Sequence, residues 1–144
     1  MPARDAYHNN LINALVKDNW RITDDPFMMR WGTRDMYVDL GAYLLLAAEK
    51  EEVKIAIELK SFKSYSPMND LENAVGQYIV YYDVLQKIAP ERILYLAVDL
   101  ETFEGIFSEP IGQLMLENNR IKLVIFNKNE EVIIKWIPSI NINK

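Results

Sequence analysis

Lys54-Ile55-Ala56-Ile57-Glu58-Leu59-Lys60-Ser61-Phe62 reads as one β-strand, an apolar run interrupted by two charges. A strand alternates its faces with period two. Ile55, Ile57 and Leu59 therefore point one way. Ala56, Glu58 and Lys60 point the other, which places a carboxylate beside an ammonium on one face of a strand that otherwise reads as buried. Charges in such a strand suggest chemistry. The bland reading, a half-exposed strand face carrying a solvated charge pair, fits the same spacing.

Working outward, the segment from Asp35 to Leu40 also alternates. Met36, Val38 and Leu40 are expected on one face, with Asp35, Tyr37 and Asp39 on the other. Gly41 permits a bend or bulge. Leu44 to Glu49 continues as a strand, Lys50-Glu51-Glu52 is expected to turn, and Val53 to Phe62 returns antiparallel. A straight hairpin with that turn sets Asp39 opposite Phe62 or Lys63, about 13 Å from Glu58 at the strand rise. A bulge near Gly41 to Tyr43 would bring the two acids together. Without it, either Asp35 or Glu49 is the acid that partners Glu58, or there is no intact site.

The rest of the chain supplies helices and further strands. Asp5 to Lys17 carries an apolar stripe of Tyr7, Leu11, Ala14 and Leu15 at helical spacing, with Asp5 as a cap and His8, the one histidine, beside the stripe. Trp20 to Thr23 reads as a short strand, and Phe27 to Gly32 fits no single type. A long helix is expected over Asn69 to Ile88, started by Asn69 with Glu72 three residues on and stopped by Pro90. Its predicted core stripe is Leu71, Val75, Tyr78, Tyr82 and Leu85. Gln77 and Tyr81 share a neighbouring face at i and i+4; a buried tyrosine holding a glutamine would look the same. Arg92 to Val98 is a buried strand, Leu100 to Phe107 and Ile111 to Glu117 are helical, and Lys122 to Asn127 and Glu130 to Ile137 are the last strands. This order predicts an α/β fold, a mixed β-sheet flanked by helices. A single domain over residues 1–138 is expected, with 139–144 as a polar tail.

Composition bounds the function. Half of the 144 residues are hydrophobic, enough for a core without staples. Cysteine is absent, which removes disulfides and thiolate metal sites and suits a cytoplasmic protein. No apolar leader and no run near 20 apolar residues is present, so neither a signal peptide nor a membrane span is expected. The net charge of −5 argues against a broad basic surface for nucleic acid, though bound cations would offset an acidic metal site. No glycine-rich phosphate loop and no Cys/His cluster occurs.

The set Asp39, Glu58 and Lys60 has a chemical logic. Two carboxylates can hold Mg²⁺, a hard cation that takes oxygen ligands. The metal acidifies a bound water and offsets phosphate charge. The lysine orients that water or stabilises developing negative charge. Gln77 and Tyr81 would support the site or contact DNA.

Asp39, Glu58-Leu59-Lys60 and Gln77-x-x-x-Tyr81 resemble the PD-(D/E)xK nuclease superfamily, in its branch with a Gln-x-x-x-Tyr helix. Nearly the whole chain resembles the XisH family, the fdxN element excision controlling factors of cyanobacteria. The carrying residues are Met1-Pro2-Ala3-Arg4-Asp5 with His8, Asp25-Pro26, Trp31-Gly32-x-x-Asp35, Tyr37-x-Asp39-Leu40-Gly41, Ala47-Ala48-Glu49-Lys50, Ile57-Glu58-Leu59-Lys60-Ser61-Phe62, Gly76-Gln77-Tyr78, Leu94-Tyr95-Leu96-Ala97-Val98 and Gly112-Gln113-Leu114. The resemblance implies a restriction-endonuclease-like fold and a role in controlled excision of a DNA element during heterocyst development. It implies an XisI-like small partner protein and a site-specific recombinase nearby, with a homo-oligomer as a further expectation. It assigns Asp39 and Glu58 to metal and Asp39, Glu58 and Lys60 to catalysis, with Gln77, Tyr81 and His8 in support. In that nuclease branch the first helix often supplies a further acid or a histidine; this helix has no Glu, and His8 is its comparable group. A controlling factor can also keep the fold and bind DNA without cutting it.

Overall fold

The fold is built around the predicted strand, and the computed structural model describes residues 4–46 and 51–140. The chain runs α1 (His8–Lys17), β1 (Arg21–Asp24), β2 (Phe27–Trp31), β3 (Arg34–Val38), β4 (Leu40–Leu46), β5 (Glu51–Leu59), α2 (Pro67–Ile88), β6 (Arg92–Asp99), α3 (Leu100–Glu104), a 3₁₀ turn (Ile106–Ser108), α4 (Pro110–Glu117), β7 (Leu123–Asn127) and β8 (Val132–Ile137). Six strands form one mixed sheet in the order β1-β4-β5-β6-β7-β8, and β2 and β3 form a separate two-stranded ribbon. The strands β5, β6 and β7 are parallel. Their crossovers carry α2 and then α3 with α4, as parallel neighbours require. The outer pairs are antiparallel. The expected mixed sheet flanked by helices is the observed architecture.

Alternation in β5 holds as predicted and divides the core. Ile55, Ile57 and Leu59 pack with Leu11, Ala14, Leu15 and Trp20 on the α1 side of the sheet. Ala56 packs with Leu71, Tyr78 and Leu85 of α2 on the other side. The parallel neighbours follow suit: Tyr95, Ala97, Val124 and Phe126 lie on the α1 side, and Leu94, Leu96, Leu123 and Ile125 on the α2 side. The α1 side is closed by Trp136, whose ring centroid lies 5.3 Å from Trp20 and 4.8 Å from Tyr95.

Several boundaries differ from the sequence reading. The hairpin pairs Leu46 with Glu51, so Glu51 and Glu52 belong to β5. The expected turn at Lys50 to Glu52 therefore lies too far along the chain. Residues 47–50, including Glu49, fall outside the described residues, as does the tail 141–144. The β4–β5 register is unbroken, and the irregularity instead falls between Ile22 and Asp24 of β1. Gly41 serves a different need: a Cβ there would lie 2.8 Å from the Asp24 carboxylate and 3.0 Å from the Arg92 guanidinium. Phe27–Trp31 is a strand. Helix α1 starts at His8, because the Asp5 carboxylate accepts from the Tyr7 N–H at 2.9 Å in a turn before the helix. Helix α2 starts at Pro67, where the Ser66 hydroxyl accepts from the Asn69 N–H at 3.1 Å and Pro67 takes the first helical position. A starting box at Asn69 is thereby replaced by a Ser66 cap one turn earlier.

Candidate functional site

Asp39 is positioned by a break between two sheets. β3 ends at Val38 and β4 begins at Leu40, so Asp39 is the residue at which the chain leaves the β2–β3 ribbon for the main sheet. Val38 packs on the α2 side and Leu40 on the α1 side. The expectation that Met36, Val38 and Leu40 share one continuous face fails at this bend. Leu40 pairs with Ile57, which brings Asp39 level with Glu58. The Asp39 carboxylate accepts from the Leu59 N–H at 2.8 Å, and the Asp39 N–H donates to the Glu58 carboxylate at 3.3 Å. Glu58 thus holds the Asp39 backbone, and Asp39 holds the backbone of Leu59, the residue after Glu58.

These residues line an open cleft of about 370 Å³ together with Asp5, Asp35, Tyr37, Lys60, Gln77 and Tyr81. Glu58 is 8% exposed. Burial, reinforced by the negative charge of Asp39, pushes its carboxyl up to about 8. Lys60 works against that rise. Burial also raises Asp39, opposed chiefly by its bond from the Leu59 N–H. Two desolvated carboxyls this close cannot both ionise readily, and a proton or a cation must offset their charge. Tyr81 is likewise raised, by burial and then by the Glu58 charge.

Helix α2 supplies the third wall. Gln77 Nε2 donates to the Tyr81 hydroxyl at 2.9 Å, and that hydroxyl approaches the Tyr37 carbonyl at 3.4 Å. The predicted i, i+4 pair is therefore joined and faces the cleft. Gln77 Oε1 is buried and has no hydrogen-bond partner among the described residues. The core stripe of α2 contains Ala74, Tyr81 and Val84 in addition to Leu71, Tyr78 and Leu85, while Tyr82 is exposed.

His8 is placed elsewhere. It is buried, and its Nε2 lies 2.8 Å from the Asp25 carboxylate, which also receives Arg4 at 2.7 Å. It fastens the first helix to the β1–β2 connection and does not line the cleft. Asp35 sits at the exposed rim, 3.6 Å from Arg30, and Asp39 is the acid that meets Glu58. Asp5 and Tyr37 line the cleft although the sequence reading gave them no site role. The sequence suggests a helix cap at Asp5; its place just ahead of the first helix, the element the nuclease resemblance associates with a further acid, is the available signal. Among the described residues, no three His, Asp or Glu side chains converge as a metal cluster. The pair Asp39 and Glu58 nevertheless fits a divalent cation of the Mg²⁺ kind. Both are oxygen donors with raised carboxyls, and a Mg²⁺ ion commonly takes only one or two protein carboxylates and keeps several waters.

A family model described as XisH protein matches residues 1–134. The chain belongs to the XisH family. Its fold superposes on a crystal structure of an XisH family protein from Nostoc punctiforme with a TM-score of 0.82 and 36% identity, covering 92% of this chain and 99% of that one. An fdxN element excision controlling factor protein from Anabaena variabilis matches with a TM-score of 0.82 and 36% identity, covering 93% of this chain and 99% of that one. No curated protein sequence matches the chain. Membership in XisH accords with the mixed sheet and its flanking helices. No helix among the described residues is long and apolar enough to cross a membrane.

Proposed function

We propose that this XisH family chain is a controlling factor for excision of a DNA element, and that it engages DNA phosphate through a divalent cation held by Asp39 and Glu58. The supporting observation is the bend at Asp39, which bonds its carboxylate to the Leu59 N–H and its own N–H to the Glu58 carboxylate, with Lys60 lining the same cleft. Bound there, a cation would supply Lewis acidity to a phosphate oxygen. The chain's own groups do the remaining work. Asp39 and Glu58 would hold the cation through their carboxylate oxygens, which would offset the charge of the two buried acids. Lys60 offers its ammonium to a phosphate oxygen or to a water beside it. Tyr81, fixed by Gln77, closes the wall behind Glu58. An XisI-like small protein and a site-specific recombinase are the partners that this reading brings.

Calorimetry with Mg²⁺ or Mn²⁺ tests the site, with Glu58→Ala as control. Binding to the native chain that is lost in the variant is the expected result; equal heats from both would refute a metal site at Glu58. In a reconstituted element assay with both partners present, excision should be lost in Glu58→Ala; excision that persists in that variant would refute a role for the site.

A second reading is an active Mg²⁺-dependent endonuclease with a PD-(D/E)xK fold. It is favoured by Lys60, which lines the cleft with both carboxylates as that chemistry requires. Metal-dependent cleavage of duplex or branched DNA, abolished in a folded Lys60→Ala variant, would support cutting. Equal cleavage by that variant would refute it.

A further inference from the structure

Helix α2 buries one face and leaves the opposite face uncovered. Leu71, Ala74, Tyr78, Tyr81 and Leu85 are buried, whereas Glu72, Gly76, Ile79, Val80, Asp83 and Lys87 are all exposed. Two features are unexpected for a solvated helix face. Ile79 and Val80 are 40% and 53% exposed at the middle of the helix. Gly76 lies one turn earlier, where glycine costs about 1 kcal/mol relative to alanine. A Cβ at Gly76 would meet nothing within 4 Å, so no contact inside the chain accounts for a missing side chain. Close approach of another backbone would account for it.

We propose that this face packs on the same face of a second copy of the chain, α2 against α2, antiparallel about a two-fold axis between Ile79 and Val80. The charges select both the occupant and the direction. Glu72 and Lys87 are equally far from the midpoint, about 11 Å along the helix on either side, and Gly76 and Asp83 are about 5 Å on either side. At about 100° per residue all four fall within about 30° of the centre of the face, with Ile79 and Val80 flanking it about 50° to each side. An antiparallel two-fold then sets Glu72 level with Lys87 of the partner subunit, and does so twice. A parallel pair would set Glu72 against its own copy and Lys87 against its own copy, which repels. Each Gly76 lies level with Asp83 of the partner subunit, so one side of each of those two contacts is bare backbone. Ile79 and Val80 each meet their own copy and leave water.

The arrangement has a consequence for the cleft. Gln77 and Tyr81 lie on one flank of α2, and a two-fold perpendicular to both helices keeps that flank on the same side of the pair. Both clefts would therefore open towards one ligand.

A single helix crossing buries less than a standard protein interface of about 1,600 Å², so the dimer is expected to be weak, with a dissociation constant of about 10–100 μM. Sedimentation velocity on the full chain from about 5 to about 500 μM brackets that range. Glu72→Lys and Lys87→Glu should each weaken the dimer at least ~10-fold, and the double variant should return to within ~3-fold of the native constant, because the swap restores both pairs. Val80→Glu should abolish the dimer. Circular dichroism melting of each variant confirms that it is folded. A native chain that stays monomeric throughout, a dimer indifferent to Val80→Glu, or folded single variants whose weakening the double variant does not reverse would each overturn the proposal.

Discussion

Replacing Glu58 by Gln should make the protein more stable at alkaline pH and flatten its pH dependence. The Glu58 carboxyl ionises near 4.5 when solvated and is pushed up to about 8 in the fold, by burial first and the Asp39 charge second. Between those values the folded state holds a proton that the unfolded state has released. Stability therefore falls as pH rises across that interval. The contribution is fully present below about 4.5 and lost by about 8. At roughly 1.4 kcal/mol per pH unit the shift corresponds to about 5 kcal/mol, and water in the open cleft reduces this to about 2–4 kcal/mol. Asp39 is raised as well and acts in the same direction.

Glutamine preserves the local bonding. Its oxygen accepts from the Asp39 N–H as Glu58 does, and its amide can donate to the Asp39 carboxylate. It never ionises. Urea unfolding followed by circular dichroism at pH 5, 7 and 8.5 is the assay. With a slope of roughly 2 kcal/mol per M, the variant's midpoint should exceed the native one by about 1–2 M at pH 8.5 and match it near pH 5. Added Mg²⁺ or Mn²⁺ should raise the native midpoint at pH 8.5 and leave the variant unchanged, because binding to the folded state alone adds stability. Parallel pH profiles in the two proteins, or native stability that rises from pH 5 to 8, would refute the reasoning.

Other substitutions probe the frame around the cleft. Gly112→Ala should destabilise by about 3 kcal/mol in urea unfolding, because its Cβ would fall 2.3 Å from the Ile106 carbonyl oxygen and 2.5 Å from the Phe107 Cα. Ser66→Ala removes the α2 cap and should cost about 1 kcal/mol, read as a lower melting temperature. Arg92→Met removes bonds to the Ile55 carbonyl at 2.8 Å and to Asp24 at 3.4 Å. It should cost about 2 kcal/mol and speed amide exchange in β1, the edge strand that the Asp24 contact ties down.

The faces of β5 were legible because period two survives in a strand with neighbours on both sides. Ile55, Ile57 and Leu59 against Ala56 and Glu58 needed no tertiary information. The partner acid was not legible in the same way. Its place depends on where the hairpin turns, and Lys50-Glu51-Glu52 reads as a turn only because it is charged. β5 extends through Glu51 and Glu52 because β4 gives them backbone partners, which composition does not reveal. Helix α2 illustrates the other limit. Helical spacing puts Tyr82 in the core stripe with Tyr78 and Tyr81 on a neighbouring face, yet Tyr81 is buried and Tyr82 exposed. The β2–β3 ribbon lies over the Tyr81 side, where the Tyr37 carbonyl receives its hydroxyl, and Tyr82 is left in water.

The site is better understood as a consequence of the ribbon than of the strand. A continuous β3–β4 strand would carry Val38 and Leu40 on one face and leave Asp39 on the other, with no bond to β5. The break at Asp39 sends Val38 to the α2 side and Leu40 to the α1 side and turns the Asp39 carboxylate onto the Leu59 N–H. That one bond both satisfies a strand-end donor of β5 and holds an acid beside buried Glu58. Removing it with Asp39→Ala should therefore act twice. The Leu59 N–H loses its partner, which costs stability by about 1–2 kcal/mol. Glu58 loses its negative neighbour, so its carboxyl should titrate closer to the ordinary range by carbon-13 NMR, leaving only burial to raise it. A Glu58 titration unchanged in Asp39→Ala would mean that the two carboxyls do not share a site, and the case for a cation between them would fall with it.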